Sequence, residues 1–253
     1  LTRSAIESPA LRVSYRQGHV IIEQALLLLP VPALGIEVGR RQPITASGLL
    51  GLAMMSSATL RDAVRVGLRF QNLAGSMVRW SSAEEAGGLV VTAALQEPAS
   101  PVGTFLIEEG FANITRMARD VAGLAGPQLV ELAHAAGSDP AVYRDYFGNA
   151  VRFAAARNAW HVPLASAHAA LASADAWTHR ETVALLETQT DSIIERQELV
   201  AVLATQIEDA LPDVLPLAAH ARALATSERT LRRRLIEVGA SYSGVLDDVR
   251  KRL

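Results

Sequence analysis

The chain has 253 residues, half of them hydrophobic, a formal net charge of -2 and no cysteine. That is enough apolar material for one large domain or two smaller ones. The missing cysteines exclude disulfide frameworks, thiolate metal sites and cysteine nucleophiles, and the longest apolar run, ending at Pro30 and Pro32, is too short and broken to span a bilayer.

In chain order, residues 20–29 read as an apolar helix stopped by Pro30, and residues 35–41 as a turn-rich stretch. Residues 49–55 read as a buried helix of small apolar residues. Ser57 or Thr59 starts the next helix, residues 60–73, with Leu60, Val64, Leu68 and Phe70 facing inward. Residues 77–80 and 89–95 form a β-hairpin around the turn Glu84-Glu85-Ala86-Gly87-Gly88. A long helix covers residues 101–125 and stops at Gly126-Pro127. A strand at 128–134, a short helix at 140–147, a turn at Gly148-Asn149, and strands at 151–153 and 159–162 follow. This order predicts an α+β domain, a mostly antiparallel sheet covered by helices, followed by an all-α segment. Residues 175–211 turn helical, and residues 212–216 form a linker. The expected organisation is 1–174 (α+β domain), 175–212 (helical linker) and 213–253 (all-α end).

The end of the chain carries the sharpest pattern. Residues 221–235 read as a helix, a tight turn and a second helix. Leu224, Leu231 and Leu235 supply inner contacts, while Arg229, Arg232 and Arg233 share the outer face. Ser227 is a good N-cap. Residues 222–253 carry a formal charge of +4, leaving -6 on residues 1–221. An acidic body with a basic end, and a capped helix with an arginine face, suit entry into a DNA major groove. Arg229, Arg232 and Arg233 are the candidates for base or phosphate contacts, and Thr230 for a phosphate or a thymine methyl. Arg234 is expected nearer the core side.

Catalytic signatures are missing: there is no dinucleotide fingerprint, P-loop, zinc-protease motif or nucleophile elbow. The histidines His19, His134, His161, His168, His179 and His220 have no spacing that presents two ligands on one helix turn. No catalytic residue, metal or cofactor is therefore expected. Glu108-Glu109 reads as a solvated helix face, and Asp247-Asp248 likewise. A large apolar interior without catalytic groups suits a sensor with a concave, mostly apolar pocket. The polar residues that interrupt apolar elements, Arg79, Trp80, Arg116, His134, Arg152 and Trp160, are its candidate ligand contacts. An arginine among them could grip a carboxylate, such as a fatty acid or an amino acid.

Residues 227–235, Ser-Glu-Arg-Thr-Leu-Arg-Arg-Arg-Leu, then Gly239, Tyr242 and residues 243–250, resemble the first helix-turn-helix of AraC/XylS-type transcription regulators. Residues 48–53, 56–63, 68–73, 143–153 and 157–159 resemble the ligand-binding domain of the ornithine- and arginine-regulator subgroup. Two positions depart from the pattern: Ala225 stands where Gly is common between the helices, and His220 where an apolar residue is common. Ala225 would be mildly strained at positive φ, and His220 reads as a solvated histidine. The resemblance implies a cytoplasmic bacterial regulator with double-stranded DNA, a small-molecule effector and RNA polymerase as partners, and no membrane. It also implies a homodimer, for which Ile193, Ile194, Leu199, Val202 and Leu203 offer apolar contacts. The second helix-turn-helix lies beyond Leu253, so a parent protein longer at both ends is expected. The competing readings are a metabolite-processing enzyme and a protein-interaction module with an incidental basic tail.

Overall fold

Ser14 opens the first helix, α1 (Tyr15–Leu28), with a reciprocal cap: its hydroxyl accepts from Gln17 N, and the Gln17 side chain accepts from Ser14 N. The computed structural model describes residues 13–85, 87–95, 100–137, 139–148, 150–238 and 240–251, apart from the side chains of residues 192 and 194–196. The chain forms two units, Leu1–Val183 and Ala184–Leu253.

In the first unit, α2 (Leu34–Gly39) occupies part of the stretch expected to be turns. The glycines there serve a helix crossing instead. Gly35 and Gly39 are four apart, so they share the face that lies on α5 (Pro101–Ala122). A Cβ at Gly35 would stand 2.4 Å from the Phe105 carbonyl oxygen, and one at Gly39 2.2 Å from that of Glu109. A 3-10 turn (Ile44–Ser47) leads into α3 (Gly48–Met55). Thr59 caps α4 (Leu60–Arg69) by accepting from Asp62 N, as the sequence suggested, although the helix ends four residues sooner than expected.

The hairpin pairs β1 (Val78–Glu85) with β2 (Gly88–Leu95), from Val78 opposite Leu95 to Glu85 opposite Gly88. Glu84 and Glu85 belong to the strand rather than to the turn. Their charge is met on the solvent side, where Arg61 pairs with Glu84 at 2.8 Å and Arg157 donates to both Glu85 oxygens at 3.0 and 2.7 Å. Ser100 caps α5, and Gly123 in the left-handed region (φ 64) ends it before Gly126-Pro127 is reached. β3 (Leu129–Glu131), α6 (Ala141–Phe147), β4 (Val151–Arg152) and β5 (Asn158–Pro163) complete a sheet of order β1-β2-β5-β3-β4. All its pairings are antiparallel except β3 with β4. Leu89, Val91, Val130, Trp160 and Val162 of the sheet share a core with Ile107 and Phe111 of α5. A short helix, α7 (Leu164–Ala167), follows β5.

α8 (Ala176–Ala210) is a single helix that begins in the first unit and ends in the second. The second unit adds α9 (Leu217–Ala223), α10 (Glu228–Glu237) and α11 (Tyr242–Arg250). Its core joins Leu199, Leu203 and Ile207 of α8 to Leu217, Ala221, Leu231, Leu235, Val245 and Val249. Leu199 and Leu203 therefore pack within their own unit and offer nothing to a dimer; Ile193 and Val202 are exposed, and the Ile194 side chain lies outside the described residues. Ala225 does adopt φ 50, closing α9 with bonds from Ala225 N to Arg222 O and from Thr226 N to Ala221 O. His220 corrects the sequence reading: it is buried, its Nδ1 lies 3.2 Å from Gln206 Oε1, and its ring packs against Tyr242. Burial holds its imidazole below the ordinary pKa.

Candidate functional site

The first unit contains a cavity of about 290 Å³, near the lower end of the range typical of ligand pockets. Its apolar wall comes from Leu50 and Met54 of α3, Leu60, Val64 and Leu68 of α4, Trp80 of β1, and Ile114 and Met117 of α5. Gly110 makes room for the Trp80 ring: a Cβ there would stand 2.4 Å from Trp80 Cζ2. The indole is otherwise fixed, donating from Nε1 to Ser76 Oγ at 3.0 Å and meeting the Phe111 ring edge-on at 5.7 Å. Gln71 pins the start of β1, accepting from Trp80 N at 2.9 Å and donating to Trp80 O at 3.2 Å. The polar atoms of Gln71 and of the Trp80 indole are thus committed to the fold.

Gln42, Glu109 and Asn113 also line the cavity. Asn113 Nδ2 lies 3.3 Å from Gln42 Oε1, and the Gln42 side chain bonds the Glu109 carboxyl. Burial raises the pKa of Glu109, and the Gln42 bond offsets this in part. Among the described residues, Glu109 is the one ionisable residue lining the cavity.

Of the predicted ligand contacts, Trp80 lines this cavity and the others do not. Arg79 and Arg152 are exposed on their strands. Arg116 pairs with Asp120 at 2.6 Å and donates to Arg40 O at 3.0 Å. Trp160 is fully buried, its Nε1 donating to Thr115 Oγ1 at 2.9 Å. His134 faces a core cluster instead: its Nε2 is 4.0 Å from Glu108 Oε1, and its ring lies 5.9 Å from both Tyr143 and Phe153. Glu108 is buried and accepts from the Tyr143 hydroxyl. Burial raises its pKa against the lowering effect of that bond, while burial and the neighbouring carboxyl raise that of Tyr143. Glu108-Glu109 is therefore not a solvated face: one residue is in the core and the other lines the cavity. The sequence did hold a signal for this. Gly110, Ile114, Met117 and Val121 continue at helical spacing from Glu109 and Asn113, so the face was legible even though its charged member looked like surface. The contribution of Gln42, from a distant loop, was not.

In the second unit, Ser227 caps α10 by accepting from Thr230 N at 3.1 Å. Leu231 and Leu235 are buried behind it, and Leu224 is partly so. Arg229, Arg232 and Arg233 are exposed on the opposite side. Arg232 pairs with Glu228 at 2.5 Å and Arg233 with Glu237 at 3.2 Å. Such exposed pairs one turn apart are worth only about 0.3–0.5 kcal/mol, so both guanidinium groups can be redirected cheaply. Arg234 is also exposed rather than turned toward the core. Ile236, which the sequence reading passed over, is 67% exposed and extends the arginine row at i+7 from Arg229.

Among the described residues no group of side chains could hold a metal ion, and no helix is long and apolar enough to cross a membrane.

Comparison with known proteins agrees with this architecture. The N-terminal arabinose-binding domain of AraC transcription regulators matches residues 1–171. The chain is 30% identical over 253 residues to the Ornithine utilization regulator of Pseudomonas aeruginosa, covering 98% of the chain and 74% of that protein. It is 28% identical over 242 residues to an uncharacterised HTH-type transcriptional regulator of Mycobacterium tuberculosis, covering 90% of the chain and 68% of the relative. The crystal structure of the transcriptional regulator CdpR from Pseudomonas aeruginosa shares the fold, with a TM-score of 0.57 at 24% identity over 94% of this chain and 78% of that one. These relatives are all described as regulators. The chain belongs to the AraC-type transcription regulators.

Proposed function

We propose that this protein is a ligand-responsive, DNA-binding regulator: the first unit binds a small-molecule effector in the cavity at Trp80 and Glu109, and α10 of the second enters the major groove of a promoter. The observation that carries the DNA half is the row Arg229, Arg232, Arg233 on a helix capped at Ser227 and held from behind by Leu231 and Leu235. Ten residues of α-helix span about 15 Å, enough to lie along the groove. Arginine matches the two acceptors of guanine, each such contact giving about 1–3 kcal/mol of discrimination. Ser227 and Thr230, at the helix start, are placed for a phosphate, and Ile236 for a thymine methyl. The effector acts by preferring one arrangement of the regulator over another, since a ligand without that preference shifts nothing. A homodimer in the cytoplasm and contact with RNA polymerase complete the proposal, with Ile193 and Val202 among the exposed apolar positions of α8 open to a second copy.

Selection of duplexes from a random pool by the purified chain tests this reading. An enriched motif that disappears with the Arg229→Ala/Arg232→Ala/Arg233→Ala variant is expected. Equal enrichment by both proteins would contradict the assignment of α10.

A further inference from the structure

The cavity also constrains what it can hold. It is lined by apolar side chains over most of its surface, and among the described residues no Arg, Lys or His lines it. A carboxylate brought inside would lose water, meet no cation among them, and face Glu109. Burying a charge without a partner is strongly unfavourable. The arginines that could have gripped an acid, Arg79, Arg116 and Arg152, lie elsewhere. What the polar part of the lining offers is an acceptor: the Glu109 carboxyl, steadied by Gln42, which Asn113 steadies in turn. The polar atoms of Gln71 and Ser76 are already bonded to Trp80 and its neighbours, so there the lining presents the indole and aliphatic carbons. One carboxyl group in a mostly apolar lining, in a volume of about 290 Å³, describes a small molecule with an apolar tail and a donor head.

We propose that this cavity takes a small primary amine, its hydrocarbon part among Met54, Val64, Leu68 and Trp80 and its ammonium bonded to Glu109. The inference rests on the cavity being the effector site, and names the class of that effector. An ammonium supplies three donors and the charge that a partly buried carboxylate in an apolar lining needs. It makes the pair whole where an acid would leave Glu109 repelled and an alcohol would leave it uncompensated.

Calorimetry on the whole purified chain with hexylamine, hexanol and hexanoate tests this, since the three share one tail and differ in the head. Hexylamine is expected to bind at least tenfold more tightly than hexanol, with hexanoate weakest. Glu109→Gln keeps the shape and the Gln42 contact, and is expected to bring hexylamine down to the level of hexanol. Adding Asn113→Asp to that variant returns a carboxylate to the lining beside Gln42 and is expected to restore at least part of the preference; its thermal melt checks folding. Hexanoate binding as tightly as hexylamine, indifference of hexylamine to Glu109→Gln, or no binding of hexylamine would each overturn the proposal. Hexanoate binding in the cavity would leave the effector reading standing and remove only the amine. Hexylamine binding without any change in affinity for DNA would support the amine and count against the regulatory reading.

Discussion

Single residues in this protein carry consequences out of proportion to their size. Ala225 holds φ 50 between α9 and α10. The left-handed region costs a residue with a Cβ about 1–2 kcal/mol, whereas glycine loses only about 0.4–1 kcal/mol more backbone freedom on folding. The first effect is the larger, so Ala225→Gly is expected to stabilise the second unit by about 0.5–1 kcal/mol, read from urea unfolding. His220 gives a pH signature. Its folded pKa lies below the ordinary 6.5, so as the pH falls through that value the unfolded chain takes up a proton before the folded chain does. The stability contributed by the neutral, buried imidazole is complete above 6.5 and declines below it. His220→Gln is expected to flatten this decline in unfolding midpoints measured between pH 5 and 8; an unchanged slope would show that His220 does not titrate in this way.

Elements meet through backbone as much as through side chains. α2 lies on α5 by way of Gly39, where a methyl would stand 2.2 Å from the Glu109 carbonyl oxygen. Backbone cannot step aside, so Gly39→Ala is expected to cost about 1–3 kcal/mol from overpacking. Gly110→Ala meets only the tip of the Trp80 ring, and its helix interior regains about 1 kcal/mol of propensity. It should therefore cost less than Gly39→Ala in the same denaturation series, while displacing Trp80 and weakening hexylamine binding.

These crossings also show what a linear reading can see. The amphipathic helices, the hairpin and the capped α10 follow from local spacing and capping chemistry, and all were legible. α2 was not, because two glycines for close approach look like glycines for a turn. The loops at residues 42 and 71 reach the cavity only through tertiary structure, so Gln42 and Gln71 gave no signal. Glu109 was misread because a charged pair on a helix usually faces water, and here α2 and the cavity cover it. The arginines singled out for a ligand interrupt apolar runs simply by alternating to the solvent side of a strand or helix.

At the scale of the whole molecule, a unit whose cavity is lined by one carboxyl among the described residues is followed by a unit whose α10 exposes a row of arginines. The charge asymmetry between the chain's body and its end, -6 on residues 1–221 against +4 on residues 222–253, favours a polyanion at one end only. Each phosphate neutralised releases counterions, so log affinity falls against log salt with a slope of about -0.9 per contact. The most direct measurement is that slope, from fluorescence anisotropy of the selected duplex titrated with the wild-type chain and with Arg229→Ala/Arg232→Ala/Arg233→Ala at matched salt concentrations. The account expects the variant to bind at least tenfold more weakly, with a slope shallower by about one to three depending on how many of the three guanidinium groups sit on phosphate rather than on bases. Equal affinity and equal slope for the two proteins would contradict it.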